Sequence, residues 1–118
     1  MKIKNLNLNN AISIIPEYFE DERGYYTESF SCRKFNEVTK LNNTFIQDNH
    51  SMSIKAGTLR GIHFQLNPKA QSKLIRCTKG AILDVIVDLK TDSPTYKKYL
   101  INKLTPENRE QIYIPNGF

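Results

Sequence analysis

The stretch AILDVIVDL, residues 81–89, decides the fold class, because it is dominated by aliphatic residues and contains neither glycine nor proline. All of its odd-numbered positions are apolar, so we expect them to face a core. The even-numbered positions alternate two isoleucines with Asp84 and Asp88, and such a face either meets solvent or lines a polar cavity. We favour solvent. The stretch therefore predicts a strand that is buried on one side.

Shorter strand-like runs separated by turn residues lie on both sides of this stretch. One short helix is predicted over residues 33–39, where Ser31 would cap it and Phe35 and Val38 would share one face. Short strands with a single helix favour an all-β antiparallel sandwich or barrel, and a chain of 118 residues suits a single domain over residues 1–118. The other predicted strands are 11–15, 25–30, 44–50, 59–65, 73–78, 96–104 and 111–114.

The composition excludes several classes of protein. Seventeen basic against twelve acidic residues give a formal charge of +5, but the basic residues are spread along the chain, so no nucleic-acid partner is predicted. No apolar run approaches the roughly 18 residues of a membrane span, and the start of the chain lacks a secretory signal. We expect a cytoplasmic protein in which Cys32 and Cys77 are reduced thiols.

The first polar candidate is the segment Gln47-Asp48-Asn49-His50. In a strand, Gln47 and Asn49 would share one face, and Asp48 and His50 the other. Amide side chains offer donors and acceptors together, which suits sugar hydroxyls or a pyrimidine edge. An edge strand with a solvated face explains the same pattern, and the residues alone leave both alternatives open.

The second candidate is LRGIHFQ, residues 59–65, together with the nearby Lys73. Cations such as Arg60 and Lys73 can bind phosphate, stabilise developing negative charge and keep the imidazole of His63 neutral, so that it can accept a proton. A hydrogen-bonded structural histidine is the alternative. Strict alternation places Arg60 and His63 on opposite faces, so we predict a bulge or kink at Gly61 if both serve one site.

Neither a metal nor another cofactor is predicted. A metal site would need three or four His or carboxylate ligands, but the position two after His63 is Gln65, and the only other histidine, His50, lies on a different predicted strand. The sequence also contains no glycine-rich phosphate loop and no reactive-cysteine motif.

Five blocks together resemble, in order and spacing, the dTDP-4-dehydrorhamnose 3,5-epimerase family. The resemblance runs from about residue 12 to residue 118. The blocks are FEDERGYYTESF (19–30), QDNHS (47–51), LRGIHFQ (59–65), KLIRC (73–77) and YIPNGF (113–118).

The resemblance implies a cupin-like jelly-roll barrel that needs no metal and assembles as a homodimer. It implies an isomerase of dTDP-L-rhamnose biosynthesis, which serves cell-surface polysaccharide such as lipopolysaccharide. The enzyme would invert C3 and C5 of a dTDP-4-keto-6-deoxyhexose, namely dTDP-4-keto-6-deoxyglucose, by α-proton abstraction and reprotonation of the enolate. His63 matches the family's base and Lys73 its cation near the sugar oxygen. The matching substrate-binding residues are Arg23, Glu28, Gln47, Asp48, Asn49 and Arg60.

The family's pattern continues beyond the YIPNGF block to another active-site histidine, the tyrosine that acts as acid and the carboxylate that orients the base. Residues 1–118 contain no counterpart of these. We therefore expect the N-terminal portion of a jelly-roll epimerase, incomplete at its C-terminus and impaired in catalysis by itself. The alternatives are a C3- or C5-only epimerase and a catalytically inactive fragment that binds a sugar nucleotide.

Overall fold

Eight short strands and one helix form the fold in a computed structural model that describes residues 1–118. The helix α1 (Cys32–Thr39) follows the fourth strand. The strands are β1 (Lys2–Asn5), β2 (Ile12–Ile15), β3 (Tyr18–Asp21), β4 (Gly24–Thr27), β5 (Lys73–Arg76), β6 (Ile82–Val87), β7 (Tyr99–Leu104) and β8 (Gln111–Ile114).

The largest sheet is antiparallel and has the strand order β1-β2-β8-β5. Its central strand β8 is buried along its whole length, and Ile12 of β2 lies opposite Tyr113 of β8. The outer strand β1 is exposed and carries Lys2 and Lys4, charged residues that discourage pairing with another chain. Two antiparallel hairpins, β3–β4 and β6–β7, form separate two-stranded sheets.

Strand β8 contributes side chains to two hydrophobic clusters. Ile112 and Ile114 join the larger cluster, whereas Tyr113 between them joins the smaller one, because successive side chains of a strand point to opposite faces. The other buried members of the larger cluster are Leu8, Ala11, Ile86, Leu104 and Phe118. The other members of the smaller cluster are Ile12, Ile14 and Phe35.

Helix α1 confirms the predicted helix and its cap. The Ser31 hydroxyl accepts a hydrogen bond from the backbone N–H of Lys34 at 3.4 Å, and the helix ends at Lys40 in the left-handed conformation, with φ of 59°. Its buried residue Phe35 packs against Tyr113 and Phe45, with ring centroids 5.5 and 5.4 Å apart. The helix thereby covers one face of the large sheet. With eight residues, it is too short to cross a bilayer, and the structure contains no other helix.

The antiparallel all-β class is confirmed, but the predicted strands 44–50 and 59–65 are wrong. Residues 41–72 form no strand, because their backbone does not pair with another segment of the chain in a hydrogen-bonded ladder. The predicted bulge at Gly61 is absent, because a bulge requires a ladder, but the φ of 108° there departs from an extended conformation, as a kink does. The predicted strand 25–30 ends at Thr27, and the sequence analysis missed β1 and β3.

The predicted orientation of residues 81–89 is also wrong. Leu83 and Val85 are 70% and 42% exposed, whereas Ile86 and Asp88 are buried. The buried face is the one that meets Leu8, Ala11 and Phe118 in the larger cluster. Alternation along the strand was predicted correctly, but the side on which the core lies depends on those distant residues.

The loop between β6 and β7 is organised by the fully buried carboxylate of Asp88. It accepts hydrogen bonds from the hydroxyls of Ser93 and Thr95, both at 2.5 Å, and from the backbone N–H of Lys90 at 3.0 Å. Thr95 Oγ1 in turn accepts from the N–H of Asn9 at 3.0 Å, which ties the loop to the N-terminal turn. Burial raises the pKa of Asp88, but these bonds and the charge of Lys90 outweigh it, so the net pKa is lowered.

We expect Asp88→Asn to destabilise the fold at pH 7 by roughly 1–3 kcal/mol, because it removes charge-assisted hydrogen bonds to a buried group. The stabilisation by Asp88 is fully present above the pKa of an unfolded aspartate, about 3.9, and is lost as the pH falls through the lower folded-state pKa. Urea unfolding of wild type and variant should therefore converge in acid.

The exposed Asp92→Asn is the matched control and should change the unfolding midpoint little at either pH. Equal stability of wild type and Asp88→Asn at pH 7 would contradict this account of the loop.

Candidate functional site

The predicted site residues lie on three parts of the structure. Arg23 and Glu28 belong to the β3–β4 hairpin and the residues that follow it, and Lys73 begins β5. The irregular segment 41–72 carries the remaining ones, which are Gln47, Asp48, Asn49, Arg60 and His63.

Arg23 lies in the tight turn between β3 and β4. The Asp21 carboxylate accepts hydrogen bonds from the Arg23 backbone N–H at 2.9 Å and from its Nη2 at 2.6 Å, and this pairing lowers the pKa of Asp21. Gly24 completes the turn with a φ of 131°, which side-chain-bearing residues rarely adopt. The Arg23 side chain is 84% exposed, so its guanidinium is accessible to an anionic ligand.

Glu28 lies between the hairpin and helix α1 and forms an ion pair with Lys34 at 3.0 Å. The next residue is fastened to the large sheet, since Gln111 Nε2 donates to the carbonyl oxygen of Ser29 at 2.9 Å. These contacts place the Glu28 carboxylate at the surface beside the start of α1, where it can accept hydrogen bonds.

The polar segment 47–50 is exposed on the surface. Gln47 Nε2 donates a hydrogen bond to Asn49 Oδ1 at 3.0 Å, so the two amides lie side by side even though the segment is not a strand. Asp48 and His50 make no side-chain hydrogen bond or ion pair. The pair of amides presents both donors and acceptors to solvent.

Arg60 and His63 lie on either side of Gly61. Arg60 donates from Nε to the Ser53 hydroxyl at 3.1 Å and from Nη2 to the Met52 carbonyl at 3.2 Å. The His63 imidazole is exposed, and a methyl group at position 61 would come within 2.9 Å of its Nδ1 atom. The absence of a side chain at Gly61 is therefore what lets the imidazole lie against the backbone.

Lys73 is half buried at the start of β5, near Asp84 of β6. Burial raises the pKa of Asp84, and the positive charge of Lys73 only partly offsets this effect. Asn102 lies directly opposite Asp84 on β7, and the atoms Asp84 Oδ2 and Asn102 Nδ2 are buried without a hydrogen-bond partner. Lys73 forms no hydrogen bond or ion pair with either side chain, so only the attraction between charges links it to Asp84, and Asp84 and Asn102 keep unused hydrogen-bonding capacity.

The sequence analysis did not place Asp84 among the site residues. The signal was present in the carboxylates on the even-numbered face of residues 81–89, for which a polar cavity was the less favoured interpretation. The structure puts Asp84 within the electrostatic influence of Lys73, which lies on a strand of a different sheet, and alternation alone cannot reveal this relation.

No hydrogen bond or ion pair among residues 1–118 joins Arg60, His63 and Lys73 to one another. Tyr113 is not exposed: its ring is buried, and its hydroxyl accepts a hydrogen bond from Asn43 Nδ2 at 2.6 Å and donates one to the Ser72 hydroxyl at 3.3 Å. Nor do three or more His, Cys, Asp or Glu side chains converge as a metal site would require. The chain thus presents the imidazole of His63, the guanidinium of Arg60 and the pair of amides on the irregular segment 41–72, and the cations Lys73 and Arg23 on β5 and on the β3–β4 turn.

Comparison with known proteins defines the class to which this fold and these residues belong. A solved dTDP-4-dehydrorhamnose 3,5-epimerase from Bacillus anthracis, with TDP and PPi bound, superposes with a TM-score of 0.93 at 46% identity, over 98% of this chain and 66% of that one. A dTDP-6-deoxy-D-glucose-3,5-epimerase from Legionella pneumophila, in complex with dTDP-4-keto-L-rhamnose, gives a TM-score of 0.92 at 38% identity, over 99% of this chain and 61% of that one. The fold is the cupin-like jelly roll of sugar-nucleotide epimerases.

The family profile of dTDP-4-dehydrorhamnose 3,5-epimerase matches residues 5–118. The chain is also 43% identical to the Shigella flexneri protein of that name, over all 118 residues and 65% of the Shigella protein. This chain therefore belongs to the dTDP-4-dehydrorhamnose 3,5-epimerase family. It spans just under two thirds of the length of these relatives.

We expect Asp84→Asn to raise stability at pH 7 by about 1 kcal/mol, because it removes a buried charge that lacks a hydrogen-bond partner. The raised folded-state pKa means that ionised Asp84 costs stability above that pKa, and the cost disappears as the pH falls and the group is protonated. Urea unfolding at pH 7 and in acid should show the difference between wild type and variant only at the higher pH.

The exposed Asp92→Asn serves again as the control. A loss of stability in Asp84→Asn at pH 7 would mean that attraction to Lys73 outweighs the cost of burial.

Proposed function

We propose that this chain provides the base and much of the substrate-binding surface of an epimerase that inverts C3 and C5 of dTDP-4-keto-6-deoxyglucose. The reaction would belong to dTDP-L-rhamnose biosynthesis. The observation that carries the proposal is the family match over residues 5–118, which includes the blocks around His63 and Lys73. The ligands in the Bacillus and Legionella structures, TDP and a dTDP-4-keto sugar, support the substrate class.

The chemistry requires a base and a stabilised enolate. The C4 ketone acidifies the C–H bonds at C3 and C5, and the exposed imidazole of His63 would accept such a proton. Negative charge then develops on the ketone oxygen, where the ammonium of Lys73 would stabilise it. Return of a proton to the opposite face of the sugar inverts the carbon.

The binding residues have the charges that a nucleotide sugar needs. Arg23 and Arg60 are cations suited to the diphosphate, whereas Gln47, Asn49 and the carboxylates of Glu28 and Asp48 suit sugar hydroxyls or the base. Five of them now contact protein groups: Arg23 with Asp21, Glu28 with Lys34, Gln47 and Asn49 with each other, and Arg60 with Ser53 and Met52. All of these are surface contacts, so exchanging them for ligand contacts would cost little free energy.

The separation of the candidate residues supports assembly with further polypeptide. Since Arg23 and Glu28 lie on a different part of the structure from His63, we infer a homodimer in which the hairpin of one chain serves the site of the other.

The two free cysteines, Cys32 and Cys77, accord with a cytoplasmic location, which forms part of the same proposal.

The alternative functions differ in a measurable way. A C3- or C5-only epimerase would share the base and the enolate-stabilising cation, and deuterium would then enter one carbon. A catalytically inactive sugar-nucleotide-binding fragment would bind dTDP without any exchange. The family match to the 3,5-epimerases favours the two-carbon reaction.

We expect the protein to catalyse deuterium uptake at C3 and C5 of dTDP-4-keto-6-deoxyglucose in D₂O, above the rate without protein, as followed by proton NMR. His63→Asn should slow this uptake by about 10²–10⁴-fold, the usual contribution of a general base. His50→Asn is the matched control, because His50 is also exposed but is assigned no role, and its rate should stay near that of wild type.

Equal rates in wild type and His63→Asn would refute the assignment of the base. Binding of dTDP without uptake at either carbon would favour the inactive fragment instead.

Lys73→Met should reduce the same exchange by about 10²–10³-fold, because an enolate without its cation is much less stable. Binding of dTDP itself, measured by calorimetry, should change little, since dTDP lacks the sugar ketone. The control Lys69→Met removes an exposed lysine outside the candidate site. Parallel loss of dTDP affinity in Lys73→Met would indicate a binding role in place of enolate stabilisation.

A further inference from the structure

The β3–β4 hairpin needs an anchor outside its own strands. It forms a two-stranded sheet that is not hydrogen-bonded to the large sheet, and such a hairpin is at best marginally stable in water. Phe19, Tyr25 and Tyr26 are all more than half exposed, so burial of its aromatic residues does not hold it strongly either. The hairpin nevertheless carries Arg23 at its turn, and a residue that binds a ligand must be held in a defined position.

One side chain from the rest of the fold contacts three residues of the hairpin. The guanidinium carbon of Arg109 lies 4.2 Å from the ring centroid of Tyr18 and 5.8 Å from that of Tyr25, and these two rings lie 4.9 Å apart. Arg109 Nη2 also donates to the carboxylate of Glu20. The Arg109 side chain is only 34% exposed, and partial desolvation strengthens both the cation–π contacts and the ion pair.

The backbone of Arg109 is itself firmly held. Asn108 Oδ1 accepts from the N–H groups of Thr105 and Glu110 at 3.1 and 3.2 Å, and its Nδ2 donates to the Lys103 carbonyl at 2.7 Å. Arg109 then adopts the left-handed conformation, with φ of 59°, two residues before the buried strand β8 begins. The guanidinium is thus connected to the core of the protein through a turn with little freedom.

We propose that Arg109 is a positioning residue that fixes the β3–β4 hairpin to the core and thereby places Arg23 for binding of the nucleotide's diphosphate. Its contribution to ligand binding rests on the proposed function, whereas its anchoring of the hairpin does not. The role needs an arginine, because a planar guanidinium can stack on a ring and form a directed bond to a carboxylate at the same time. Lysine offers a point charge without the planar surface.

The first measurement tests the anchor without any ligand. In the full 118-residue chain, Arg109→Gln should accelerate amide hydrogen exchange at least tenfold in residues 18–27 and leave exchange in β2 and β8 unchanged. Tyr18→Leu removes the stacking partner from the hairpin side and should have the same effect, whereas Tyr18→Phe keeps the ring and should not. The control Arg33→Gln removes an exposed arginine that pairs with Glu37 on α1.

The second measurement tests whether the anchor acts through Arg23. Arg109→Gln should weaken dTDP binding about fivefold to tenfold in calorimetry, and this loss should vanish in an Arg23→Gln background. A general structural defect would weaken binding equally in both backgrounds.

Unchanged exchange in the hairpin of Arg109→Gln, or a loss of affinity that persists without Arg23, would overturn the proposal. If the wild-type chain does not bind dTDP, the proposed function is wrong, and the hydrogen-exchange result by itself decides whether Arg109 anchors the hairpin.

Discussion

Burial of β8 on both faces is the constraint on which the rest of the structure depends. Its alternate side chains enter two different clusters, so Ile112 and the ring of Tyr113 are buried among apolar residues on opposite sides of one strand. The same strand pairs with β2 on one edge and with β5 on the other. The position of Lys73 follows directly, because it lies opposite Ile114 in the ladder.

The candidate site residues differ in how firmly hydrogen bonds tie them to the sheet that contains β8. Lys73 is within the sheet, and Ser29 beside Glu28 is fastened to β8 through Gln111. Segment 41–72, in contrast, has no ladder partner and exposes large apolar side chains such as Ile46 and Ile54, at 93% and 92%. Exposed apolar groups of this kind commonly mark surfaces that other polypeptide covers, which agrees with the proposed assembly.

Local sequence signals predicted several elements correctly, for identifiable reasons. Helix α1 has a serine cap and an apolar pair at helical spacing, and both features act within a few residues. The strands near residues 12–15, 73–76 and 111–114 were found because short apolar runs are bounded there by turn residues. The amides of Gln47 and Asn49 lie side by side as anticipated, but a hydrogen bond between them holds them there and not the alternation of a strand.

The sequence by itself determined the all-β class, the single helix and the blocks that identify the family, because these depend on spacing and composition along the chain. Tertiary structure alone decided which face of β6 is buried, since Leu8, Ala11 and Phe118 come from distant positions. It also decided that segments 44–50 and 59–65 are not strands, that Asp84 lies near Lys73, and that Arg109 stacks on the hairpin. Each of these outcomes depends on whether a segment far away in sequence lies alongside. No local pattern encodes that.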